Sequence, residues 1–136
     1  MVFKDYRSHE IKTDMPYCIY AEGLYRAIKD ISERITAPQN IPIYITENGI
    51  ADGRDDRRAL FIKRYLYALS KAIADGYDVR GYFYWSLLDN FEWDHGYKMQ
   101  FGLYEVNFDT QERKLRDGAL PYLSVIRATY ADAAAS

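Results

Sequence analysis

The chain has one cysteine, Cys18, two histidines, His9 and His95, and four prolines in 136 residues. A lone cysteine excludes an internal disulfide framework and fits a reducing compartment, so a cytoplasmic location is expected. Two distant histidines and one thiol give no metal-ligand spacing, and neither a metal nor another cofactor is expected. No apolar run approaches the roughly 18 residues of a membrane span. Met1-Val2-Phe3-Lys4-Asp5 leads into mixed polar sequence without the apolar stretch of a signal peptide, which predicts no leader and no membrane partner. Neither charge dominates: 18 basic and 20 acidic residues give a net charge of −2 without a basic block, which argues against a nucleic-acid partner.

Aromatic side chains are abundant instead. Fourteen tyrosines, six phenylalanines and two tryptophans make the chain 16% aromatic. Such rings serve either a large core or a surface that stacks on the C–H faces of sugars, and composition does not choose between them. With 49% apolar residues the chain is not a disordered one. Its length suits one domain of about 100–200 residues. A complete (β/α)8 barrel needs about 250.

Periodicity predicts alternating elements. Residues 1–20 read as an irregular lead-in broken by Pro16. Leu24, Ile28, Ile31 and Ile35 recur at helical spacing from Glu22 to Ile35, and Pro38 and Pro42 then bracket a loop. Ile41 to Thr46 reads as a short buried strand that stops at Glu47-Asn48-Gly49. A helix follows from about Asp55 to Asp75, with Asp55 or Asp56 as its cap, the stripe Ile62, Tyr65, Leu66, Leu69, Ala72 and Ile73, and Gly76 as its stop. Val79 to Ser86 reads as a second buried strand. Tyr104, Val106 and Phe108 alternate with polar residues as a half-buried strand, with Arg113 to Leu115 as its hairpin partner. A last helix spans about Gly118 to Tyr130, and Ala131 to Ser136 is expected to fray. The order helix–strand–helix–strand predicts parallel α/β architecture. Two such strands leave unpaired edges and apolar faces, so the chain reads as part of a larger sheet or as one copy of a self-complementing assembly.

In α/β barrels functional groups sit at the C-terminal ends of strands. One such end here presents Glu47, and the other presents Trp85 and Ser86, then Asp89, Asn90, Glu92 and Trp93. Tyr44-Ile45-Thr46-Glu47-Asn48-Gly49 resembles the nucleophile motif of glycoside hydrolase family 1, the retaining β-glucosidases and β-galactosidases. Trp85-Ser86-Leu87-Leu88-Asp89-Asn90-Phe91-Glu92-Trp93, followed by Gln100-Phe101-Gly102-Leu103, resembles that family's sugar-binding segment and its sequel. Thr13-Asp14-Met15 and Tyr20-Ala21-Glu22-Gly23-Leu24 are similar to the stretch before its seventh strand.

The resemblance implies a partial (β/α)8 barrel: residues 1–136 as a single C-terminal fragment carrying roughly strands seven and eight with their flanking helices. It implies Glu47 as the nucleophile. Glu92 and Trp93 would bind glycone hydroxyls, Trp85 would meet the sugar face near the aglycone, and Phe101 would pack beside the glycone. Family members that cut 6-phosphosugars usually carry Ser where Glu92 stands, so an unphosphorylated β-glucoside or β-galactoside is the implied substrate. A retaining glycosidase needs two carboxyl groups about 5–5.5 Å apart. The family's acid/base is the Glu of an Asn-Glu-Pro motif, and no Asn-Glu-Pro occurs in this sequence. Asp89 and Glu92 are the nearest other acids, and the resemblance gives them different duties. The implied partner is therefore the missing N-terminal barrel portion, and the chain alone is expected to be inactive.

Plainer readings stand beside these. Out of context Glu47 is a turn carboxylate, Trp85 and Trp93 are core, Glu92 is a solvated loop residue, and Phe101 is packing. His95 reads as a loop residue without a catalytic part, His9 and Cys18 as structural or exposed. The alternative function is a non-catalytic barrel fragment that covers its strand edges by self-association with a second copy. A lectin-like module using Glu92, Trp93 and Trp85 ranks last, because half a pocket binds weakly.

Overall fold

The computed structural model describes residues 11–135; His9 lies outside them. The first helix, α1 (Ala21–Ile31), forms where apolar residues fall a turn apart, with Glu22 in its first turn and Lys29 in its last to complement the dipole. It does not stop at Ile35. A π-helical turn, Ser32–Thr36, carries it into a short helix, α2 (Ala37–Gln39), which ends at Asn40 in the left-handed conformation. Pro38, expected in a loop, sits at the start of α2, directly after the π-helical turn. The predicted stripe splits accordingly: Ile28 is buried, whereas Ile31 and Ile35 are exposed.

The Ile41 N–H still bonds to the Thr36 carbonyl, so the first strand, β1 (Ile43–Asn48), starts later than the apolar run and includes Glu47 and Asn48. The loop after it is shaped by Asp52, whose Oδ2 accepts the N–H groups of both Arg57 and Arg58 at 2.8 Å. Helix α3 (Arg58–Ala74) therefore begins at Arg58, and Asp52 supplies the capping carboxylate expected of Asp55 or Asp56. Gly76, with φ of 93°, follows its end. Strand β2 (Val79–Tyr84) then pairs in parallel with β1, matching Ile43 to Val79, Ile45 to Tyr82 and Asn48 to Tyr84. The ladder ends at Tyr84, and the Trp85–Ser86 peptide that follows is cis.

A hairpin of β3 (Tyr104–Val106) and β4 (Arg113–Leu115) follows. Its first strand stops before Phe108, because Asn107 Oδ1 accepts the N–H groups of Asp109 and Thr110 and turns the chain. Helix α4 (Leu120–Ala135) closes the described chain and continues through the stretch expected to fray. The core lies between the lead-in, α3 and the strand ends: Ile19, Ile50, Phe61, Ile62, Tyr84 and Leu103 are all buried. Phe61 stacks on Tyr65 with ring centroids 4.1 Å apart and meets Tyr84 edge-on. Among the described residues no helix is long and apolar enough to cross a membrane.

Candidate active site

Because β1 and β2 run parallel, their C-terminal ends emerge side by side. The Trp85 N–H donates to the Asn48 carbonyl at 3.1 Å and holds the two ends in register. Gly49 makes this approach possible: a Cβ there would overlap the carbonyl oxygen of Trp85, so no other residue fits without moving the backbone. Asn48 is fixed on its other side, where its Oδ1 accepts the Tyr82 hydroxyl at 2.8 Å.

Above this junction lies an open cleft of about 330 Å³. Glu47, Trp85 and Phe101 line it together, joined by Tyr17 from the lead-in and by Phe61 and Tyr65 from α3. Glu47 is exposed, Trp85 is 37% exposed and Phe101 is nearly buried. A solvated carboxylate thus shares one cleft with an indole and with the rings of Tyr17, Phe61, Tyr65 and Phe101. Glu92 is half-buried and does not line the cleft, but its carboxylate reaches Tyr17 electrostatically. The Tyr17 hydroxyl is pushed up to about 12 by desolvation first, then by Tyr65, Glu92 and Tyr84. Tyr17 as a residue remains 42% exposed, so it is the packing around its hydroxyl end that desolvates it. Trp93 is 83% exposed, opens a 3-10 turn (Trp93–His95) and does not line the cleft. His95 is an exposed member of that turn.

Asp89, another acid that follows β2, is engaged elsewhere. Its two oxygens each take one Arg116 nitrogen at 2.9 Å, and they also accept the N–H groups of Gly102 and Val106. Asp89 is buried and committed to that ion pair. Among the described residues that line the cleft, Glu47 is the one carboxylate. No group of three or more His, Cys, Asp or Glu among the described residues is placed to hold a metal ion.

Asn48 and Gly49, which follow Glu47 in its motif, also line the cleft, and so do Tyr17, Phe61 and Tyr65, to which no motif points. Phe61 and Tyr65 sit on the buried face of α3, and only their position beneath the strand ends brings them to the site. Tyr17 follows Pro16 in a stretch without periodicity, so local pattern carries no trace of its role. A larger apolar groove, about 490 Å³ between α3 and α4, is lined by Leu66, Ile73, Pro121 and Val125 among others. It shares no residue with the cleft and carries no acid–base pair.

A sequence profile of glycosyl hydrolase family 1 matches residues 2–130. A β-galactosidase from Pyrococcus woesei is 45% identical over 105 residues, covering 77% of this chain and 20% of the relative. A 6-phospho-β-galactosidase from Streptococcus mutans is 44% identical over 119 residues, covering 82% of this chain and 25% of the relative. Among solved structures, a Thermotoga maritima β-glucosidase in complex with noeuromycin superposes with a TM-score of 0.79 at 38% identity, covering 85% of this chain and 28% of that one. The chain therefore spans between about a fifth and a little over a quarter of the length of these relatives. The profile runs over nearly every residue and the fold follows a solved relative, so this chain belongs to glycosyl hydrolase family 1.

Proposed function

We propose that this chain is the C-terminal segment of a retaining β-glycosidase, carrying roughly the seventh and eighth βα units of a (β/α)8 barrel. In this reading β1 and β2 are those two strands, and Glu47 is the nucleophile. Its carboxylate attacks the anomeric carbon and forms a glycosyl ester while the glycosidic oxygen leaves with a proton from an acid on another segment. Water then cleaves the ester, and the same acid acts as base. Trp85 stacks on the sugar near the aglycone and Phe101 walls the glycone. Glu92 and Trp93 reach glycone hydroxyls once the surrounding barrel closes their loop against the cleft. The observation that carries the reading is that Glu47 and Trp85 share one cleft at adjacent parallel strand ends.

A carboxylate at Glu92 repels a phosphate, which favours an unphosphorylated glucoside or galactoside even though one relative is a 6-phospho-β-galactosidase. The acid comes from the missing N-terminal portion, which is the natural partner. General acid catalysis is worth about 10²–10⁴-fold, so the chain alone has negligible activity. Co-expression with an N-terminal family 1 portion should restore hydrolysis of an aryl β-glucoside. Glu47→Ala in that complex should abolish turnover, and added azide should partly restore it by standing in for the nucleophile. A complex that keeps its turnover after Glu47→Ala contradicts the reading, and turnover by the pure chain contradicts its incompleteness.

A second reading, a self-associating fragment without catalysis, is favoured by one observation. Tyr44 and Phe83 on the strand pair are more than half exposed. A stable monomer in sedimentation across a wide concentration range counts against it.

A further inference from the structure

The polar groups behind the cleft converge on one side chain. Arg58 has no exposed surface. Its Nε donates to Asp55 Oδ1 at 2.8 Å. Its Nη1 donates to the Ile50 carbonyl at 3.1 Å, the Tyr84 hydroxyl at 2.8 Å and the Phe101 carbonyl at 3.0 Å. Its Nη2 donates to the carbonyls of Asp52 at 2.8 Å and Gln100 at 3.2 Å. A guanidinium has five N–H groups in a planar fork, and six acceptors here use all of them. A buried cation is tolerated only when paired and hydrogen-bonded, so these acceptors are held as firmly as they hold Arg58.

The acceptors lie on the segments that line the cleft. Ile50 directly follows Gly49 on the chain leaving β1. Tyr84 is the last residue of β2 and directly precedes Trp85. Phe101 lines the cleft itself. Backbone bonds already join these segments in pairs, Trp85 to Asn48, Ser86 to Phe101 and Asp52 to Gln100, and Arg58 is the one side chain that reaches all of them at once.

We propose that Arg58 is the positioning residue of this cleft: its fork ties the ends of β1 and β2 and the Gln100–Phe101 segment into one unit, so that Glu47, Trp85 and Phe101 face one space. The catalytic meaning rests on the function proposed above; the positioning itself does not. Lysine is a poor substitute, since a single ammonium has neither the fork nor the reach to serve acceptors on both sides.

The test uses the 136-residue chain and needs no sugar. Its two tryptophans give two indole N–H signals in a proton–nitrogen correlation spectrum, assigned with Trp93→Phe. In Arg58→Lys the Trp85 signal should shift or broaden while that of the exposed Trp93 stays. The Asp52 and Ser86 amides, which donate to the carbonyls of Gln100 at 3.0 Å and Phe101 at 3.3 Å, should exchange at least about tenfold faster relative to the centre of α3. Tyr84→Phe removes one acceptor and keeps the cation, so it should move the same signals less; it decides the matter if Arg58→Lys does not fold. An unmoved Trp85 signal, or a uniform acceleration of all amides, overturns the proposal. Neither result touches the Glu47→Ala turnover experiment, so failure of the positioning role and failure of the glycosidase reading are separately visible.

Discussion

The region behind the cleft and the open face of the strand pair meet their physical demands in opposite ways. Behind the cleft, Arg58, Asp52, Asp89 and Arg116 are buried, and each is matched by named partners. On the strand pair and the loop that follows it, Tyr44, Phe83 and Leu87 are 53%, 57% and 61% exposed. For these four residues polar burial is thus completed within the chain, whereas the apolar cover of the strand pair is not. The difference separates what this sequence stabilises by itself from what it offers to another surface.

Asp89→Ala strikes the self-sufficient side hardest. It leaves the Arg116 guanidinium buried without its carboxylate, so stability should fall by about 3–5 kcal/mol in urea unfolding. A loss below about 1 kcal/mol would erase the contrast, since it is what an exposed pair gives. Asp52 gives a smaller effect with a pH signature. Burial alone would raise its pKa, but the Arg57 N–H and guanidinium and the Arg58 N–H outweigh burial and hold the carboxyl below its ordinary 3.8. A carboxyl depressed in the folded state adds stability that is complete above the unfolded value and drains as pH falls through the lower folded one. Asp52→Asn should therefore lose about 1–3 kcal/mol near neutrality. The gap to the parent should narrow as pH drops below about 4, read by denaturant midpoints across pH. Phe83→Ser probes the other side. It should change monomer stability by no more than about 0.5 kcal/mol while reducing self-association in sedimentation. A core-sized loss of about 3–5 kcal/mol would show that this face is already covered.

Much of this arrangement is legible in the residues. The first strand, α3 and their parallel pairing follow from period and alternation, but burial does not: Ile41 and Tyr44 are exposed, and the buried face of α3 runs through Phe61, Ile62, Tyr65, Ala68 and Ala72 and leaves Ile73 out. Glu47, Trp85 and Phe101 were readable from motifs, and they do meet in one cleft. What was not readable depends on contacts far apart in sequence. On local grounds Asp55 or Asp56 is the cap, and Asp52 takes that place only because of how the loop folds over the start of α3. Arg58 follows another arginine and reads as solvated charge until acceptors from residues 50, 84, 100 and 101 close on it. The π-helical turn has no signature in the apolar spacing, which runs on unbroken from Leu24 to Ile35. Tyr17 reaches the cleft only through tertiary folding of an aperiodic stretch.

Gly49 sets a limit on how this protein can vary. Its α-carbon lies so near the Trp85 carbonyl that even a methyl group has nowhere to go. The closeness of the two strand ends consequently depends on an atom that is absent. Any side chain at position 49 would have to push the Trp85 backbone aside, so a one-atom change there would part the carboxylate from the indole without touching either.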